Sequence, residues 1–255
     1  RGVSGALVWP YAPPANREHV DILRQRGIPI VLLDRGYEGL TVPMVGVDNM
    51  AGAFEVTQYL IRCGHRRIGH ITVDQAGRSY VPAVANREKG FRSALAATGL
   101  SVSDAYVQRV PLKLVEESMT SQAVRDIFAY EAMHHLLTLP EPPTAVFLLN
   151  DLFAPSCLRA ISTQGLRVPE DIAIAGFDND FEAGEFAVPL TSYAQPGREI
   201  GRMAGELLKQ MLDGQIPKET ENLIPGRLIV RHSTGWGLQD KEAEPALPLL
   251  KTVGA

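Results

Sequence analysis

An α/β fold of parallel sheets covered by helices on both faces is the expectation from three features of this sequence. Short apolar runs alternate with helix-length segments along almost the whole chain. The runs are continuously apolar, the pattern of strands buried on both faces. Several break off in polar side chains, as at Asn150 and Asp151 and again at Asp178 and Asn179. Open α/β sheets hold ligands at that position, just past the carboxyl ends of their strands.

Taken in order, residues 3–9 read as a buried strand running into Pro10, Pro13 and Pro14. A helix capped near Asn16 follows to about Arg26, with Val20, Ile22 and Leu23 on one side and Gly27 at its end. Residues 28–33 form a second strand ending at Asp34, and residues 42–47 a third ending at Asp48 and Asn49. A helix runs from about Met50, capped by Asp48, to Arg62 and stops at Gly64; residues 65–73 hold the next strand. The alternation continues with a helix over 86–98, a short strand over 106–111 and a long helix over 121–138. Then come a strand over 145–149, a helix over 152–164, and a strand over 172–175. Residues 191–194 are extended, 197–213 helical, and 223–232 one or two strands; residues 238–255 lack periodicity and read as a mobile tail.

Bulk composition narrows the class. A chain of 255 residues makes one large domain or two modest ones, and 45% hydrophobic with 21% charged residues is ordinary for a globular protein. A net charge of −4 and a pI near 5.9 argue against a nucleic-acid-binding surface within this chain. Cys63 and Cys157 lie outside any CxxC pattern and read as free or buried thiols, which fits a reducing compartment. No run approaches the roughly 18 apolar residues of a membrane span, and the first residues lack a signal-peptide pattern. Because a strand begins almost at once, the natural N-terminus is expected further upstream.

Catalytic motifs are absent from the sequence: no GxGxxG, GxxxxGK[ST], GxSxG or HExxH occurs. His134 and His135 are neighbours on a helix and point about 100° apart, too far to share a metal. No catalytic residue, cofactor or metal ligand is therefore assigned.

The motifs that do occur run in a known order. They are GIPIVLLDR at 27–35, VGVDNMAGA at 45–53, YLIRCGHRRIGHI at 59–71 and NREKGF at 86–91. TAVFLLND at 144–151, GLRVPEDIAIAGFDN at 165–179, PLTSYAQPGREIGRMAGELL at 189–208 and RLIVRHST at 227–234 complete the set. In this the chain resembles the effector-binding core of the lactose-repressor/galactose-repressor family of bacterial transcription regulators. The resemblance implies two doubly wound parallel-sheet subdomains joined by three crossing strands, near 44–47, 194–196 and 222–225. The N-side subdomain would comprise residues 1–45 plus 196–222, without the family's first strand–helix–strand–helix portion and so incomplete. The C-side one would comprise 46–195 plus 223–237.

The resemblance also implies a cytoplasmic homodimer that binds a sugar-like effector between its subdomains and operator DNA through a module ahead of this core, with no membrane partner. A periplasmic solute-binding protein for sugar transport is the alternative. Six residues carry over as ligand contacts. Arg87 stands three residues before the glycine of an RxxGF helix, and its guanidinium offers five donors in a fixed fork. Asp178 and Asn150 end strands on one side of the cleft, with the alternative that Asn150 caps the following helix. Asp34 ends a strand on the other side, with pairing to Arg35 as the alternative. Gln195 lies at the second crossing, and Trp9 is either an aromatic face for a ring or a core residue.

Overall fold

In a computed structural model the described residues are 2–10, 17–37, 39–74, 81–101, 103–111, 122–180 and 182–235. The expected cap at Asn16 and the tail lie outside them. Two sheets organise the chain. The smaller has four parallel strands in the order β1-β2-β3-β9: β1 Ala6–Val8, β2 Ile30–Leu33, β3 Met44–Val47 and β9 Glu221–Ile224. The larger has the order β10-β8-β7-β6-β4-β5: β4 Ile68–Asp74, β5 Val107–Pro111, β6 Ala145–Leu148, β7 Ala173–Asp178, β8 Thr191–Ala194 and β10 Arg227–Ile229. Only β10 runs antiparallel, against β8.

Helices cover both faces of each sheet, as continuous apolar strands require. On the larger sheet, α2 (Asn49–Arg62) and α3 (Pro82–Ala97) enclose Val56, Leu60, Phe91, Leu95, Phe147 and Ala175. On its other face, α4 (Gln122–Leu137) and α5 (Ala154–Thr163) pack Met133, Leu136, Cys157 and Ile161 against Val146 and Ile174. Residues such as Phe91 and Phe147 are wholly buried, each contributing about 2–3 kcal/mol of burial free energy. On the smaller sheet, α1 (Arg17–Gln25) buries Val20 with Ile30 and Leu32. There α6 (Gly197–Leu212) lays Ala204 on Val31 and Val45.

Two departures from the sequence expectation have local causes. β1 is an edge strand, with Leu7 43% exposed, rather than a buried one, because one neighbour alone covers it. β7 runs on through Gly176, Phe177 and Asp178, beyond the end expected at Ala175. Residues 223–232, expected as one or two strands, hold the end of β9 in one sheet and β10 in the other, with Gly226 at the passage. A Cβ there would collide with the Ala194 carbonyl. Asp48 caps α2 as expected: its carboxylate accepts the Ala51 N–H at 2.9 Å.

His70, on β4, is part of the larger core. It stacks between Phe91 and Phe147 with ring centroids 5.0 and 4.9 Å away, and its Nδ1 lies 2.9 Å from the Phe147 carbonyl. Burial drives its pKa down to about 4, so the imidazole is neutral in the fold.

Candidate functional site

The chain passes between the sheets after β3, between β8 and α6, and between β9 and β10. A cavity of about 850 Å³ opens where the two halves face each other. Asp34, Arg35 and Tyr37 line it from the smaller sheet's side, and Asn49, Pro82 and Asn86 from the larger's. Among the described residues its charged lining groups, Arg17, Arg35, Asp34 and Glu221, balance two against two. That suits a neutral polar ligand better than an anion.

Three of the six expected contacts converge at one carboxylate. Asp178 Oδ1 accepts from Arg87 Nη2 at 2.8 Å and from Gln195 Nε2 at 2.6 Å. Arg87 is only 6% exposed. It donates through Nε to Asn49 Oδ1 at 2.8 Å and through Nη1 to the Leu149 carbonyl at 2.7 Å. Its Cζ sits 3.7 Å from the centroid of the Phe177 ring, a cation–π contact sheltered from water. One guanidinium thus ties α2, α3 and the ends of β6 and β7 together. Two of its five donors remain for another acceptor.

Asn150 follows the Leu149 carbonyl directly. It holds the cap position of a short 3-10 turn, Asp151–Phe153, yet its side chain makes no capping bond. Its Oδ1 is buried with no partner among the described residues. Such a group costs on the order of 1–3 kcal/mol and calls for a donor.

Asp34 and Trp9 belong to the other side. Asp34 sits in the left-handed region at φ 66, and its Oδ2 accepts from Arg35 at 3.0 and 3.1 Å and from Trp9 Nε1 at 3.3 Å. Trp9 is 48% exposed, so it is not a core residue; Arg35 lies over its ring at 5.4 Å. Of the six, Asp34 alone is on the cavity lining. Arg87, Asp178 and Gln195 are closed on one another, and Asn49 links them to the cavity because it lines one and bonds the other.

Sequence reasoning missed Asn49. Its neighbour Asp48 accounted for the polar pair as a cap, and nothing in periodicity marks which way an N-terminal helix residue turns. Asp151 reads in sequence as part of a polar strand end. It is fully buried instead, accepting from Ser192 Oγ and from the Asp180 N–H. Burial pushes its carboxyl up to about 7, against those hydrogen bonds.

The two perturbed groups act on stability with opposite signs. His70 has a folded pKa below its unfolded value near 6.5, so its contribution is complete above 6.5 and lost as pH falls toward 4. Asp151 has a folded pKa above its unfolded value near 3.9, so its contribution is complete below that and lost as pH rises through 7. Asp151→Asn removes the second effect. Urea unfolding is expected to show the variant gaining on wild type by roughly 3–4 kcal/mol between pH 4 and 7.5. Parallel curves would mean that Asp151 ionises at its ordinary pKa.

Among the described residues, no group of three or more His, Cys, Asp and Glu side chains is placed to hold a metal, and no helix is long and apolar enough to cross a membrane. Two α/β halves facing across a cleft, with three passages of chain between them, define the bilobal binding-protein class. The chain belongs to the periplasmic binding protein-like domain family, whose sequence pattern matches residues 57–234. Within that class it has the core found in regulators of the LacI family.

The HTH-type transcriptional repressor CytR of Escherichia coli K12 is 38% identical over 215 residues, covering 84% of this chain and 58% of the repressor. Catabolite control protein A of Priestia megaterium is 32% identical over 218 residues, 85% of this chain and 61% of that protein. The chain thus spans under two thirds of the length of these relatives. A regulatory protein of the LacI family from Chloroflexus aggregans superposes with a TM-score of 0.75 at 28% identity, covering 91% of this chain and 77% of that one. The transcriptional regulator CelR in complex with cellobiose gives 0.74 at 28% identity, covering 91% and 66%.

Proposed function

We propose that this chain is the effector-sensing part of a DNA-binding transcription regulator. It binds a small, neutral, polar molecule of the sugar class in the cleft, without turnover. The observation that carries this reading is the polar cluster of Arg87, Asp178, Gln195 and Asn49 at the edge of a charge-balanced cavity, beside the unpartnered Oδ1 of Asn150. Hydroxyl-rich ligands both donate and accept, which matches a cluster holding an open acceptor, a carboxylate and two uncommitted guanidinium donors.

In this reading Arg87, Asp178, Asn150 and Gln195 contact the ligand from one lobe, residues 46–195 plus 223–237. Asp34 and Trp9 meet it from the other, residues 1–45 plus 196–222, once the Asp34–Arg35 pair opens. A ligand that touches both lobes favours one relative orientation of them, and this differential affinity is what reaches the DNA-binding module. The working unit is a cytoplasmic homodimer that holds operator DNA through a segment outside this chain, as expected of the repressor-like relatives.

A thermal-shift screen over sugars and nucleosides, with cellobiose included, tests the reading. A true ligand at 100 times its dissociation constant adds about 2.7 kcal/mol of stability. Asp178→Ala is expected to remove that gain. A panel with no stabilising member, or one in which a compound is converted to product, overturns the reading.

A further inference from the structure

We propose that Asp151, acting with Ser192, is a positioning residue for the site. It holds residues 178–180 in the backbone conformation that aims Asp178 at Arg87 and Gln195. The functional consequence rests on the ligand-binding reading above, but the geometry stands without it.

Asp178 and Asn179 have φ of 101 and 51, where side chains other than glycine seldom go. Such strain persists when the surroundings over-determine it. Here both amides that follow Asp178 end on one carboxylate. The Asp180 N–H donates to Asp151 Oδ2 at 2.8 Å. The Asn179 N–H donates to Ser192 Oγ at 3.0 Å, and the Ser192 hydroxyl lies 2.7 and 2.9 Å from the two Asp151 oxygens.

The sequence makes room for this arrangement. Gly176 pairs with Ser192 across β7 and β8, and a Cβ at Gly176 would collide with Asp151 Oδ1. An apolar side chain at 151 would avoid the cost of burying a carboxylate, but it would leave the Asp180 amide without its acceptor and free the Ser192 hydroxyl that holds the Asn179 amide. The carboxylates facing Asp151 are Asp178 and Asp180, both of which oppose its ionisation. The cations of this region are committed elsewhere: Arg87 bonds Asp178, and Arg231 bonds Asn179 Oδ1 at 2.7 Å. Asp151 therefore works as a hydrogen-bond anchor and not as half of an ion pair.

Amide hydrogen exchange on the full chain without ligand, resolved at Asn179 and Asp180, tests the proposal. In Asp151→Ala both amides are expected to exchange about tenfold faster or more, while amides inside β6 keep their rates. Asp151→Asn keeps an oxygen for Asp180 and turns an N–H toward Ser192 Oγ, so it restores near-wild-type rates. Ser192→Ala frees Asn179 and leaves Asp180 protected, and it carries the test should Asp151→Ala fail to fold. Wild-type rates at Asn179 in Ser192→Ala overturn the proposal. So does acceleration spread evenly over β6 and β7, the signature of general loosening. With no ligand in the experiment, its failure and a failed ligand screen remain separate results.

Discussion

Arg87→Ala is expected to lose about 3 kcal/mol of stability as well as ligand binding, because it breaks a buried pair from one side only. The truncation leaves Asp178 with Gln195 as its remaining side-chain donor, and it orphans Asn49 Oδ1 and the Leu149 carbonyl. The resemblance implies a ligand contact at this position. The burial of the guanidinium and its three bonds make it a structural joint between four elements. Thermal unfolding should drop by about 6–12 °C, at 2–4 °C per kcal/mol for a chain of this size. Arg87→Lys keeps a charge for Asp178 but cannot reach three acceptors in a fork, so it should fall between wild type and Ala. A wild-type melting temperature for Arg87→Ala would show that this cluster contributes nothing to folding.

Gly90→Ala is the second substitution with a large expected effect, and its sign is the informative part. Inside a helix, Gly→Ala ordinarily stabilises by about 0.5–1 kcal/mol. At Gly90 a Cβ would run into the Met50 carbonyl and crowd Ala53 and Phe54, because α2 and α3 cross there with backbone nearly touching backbone. Helix backbones cannot yield as a side chain can, so a cost of about 2–3 kcal/mol is expected. The same crossing sets Asn49 on α2 within 2.8 Å of Arg87 on α3, so ligand affinity should fall with stability. Gly201→Ala and Gly205→Ala on α6, where the space is open, serve as controls that should stabilise slightly. Urea midpoints for the three variants check the reversal.

How far the sequence reaches can be read from particular residues. Val31, Val45, Phe147 and Ile174 lie in continuous apolar runs, and they became inner strands with helices on both sides, since nothing else can bury both faces of a strand. The Asp48 cap was legible because capping is a contact between near neighbours in sequence. Asp178 and Gln195 were legible as candidates through the resemblance, although their meeting at 2.6 Å spans 17 residues that no local rule connects. Asn49 and Asp151 were not. Each stands beside a residue that satisfied a simpler rule, and which neighbour turns inward depends on a strand or helix arriving from 38 or 41 positions away.

The sequence by itself determined the parallel α/β class, the order of elements and most helix ends, because apolar periodicity, caps and terminal glycines are local and short in range. Tertiary structure alone decided three matters. β7 continues through Asp178, residues 223–232 divide between two sheets, and charged groups of the cleft pair with each other. Each of these turns on which groups lose water together, and that is a property of the assembled halves and of no stretch of chain taken singly.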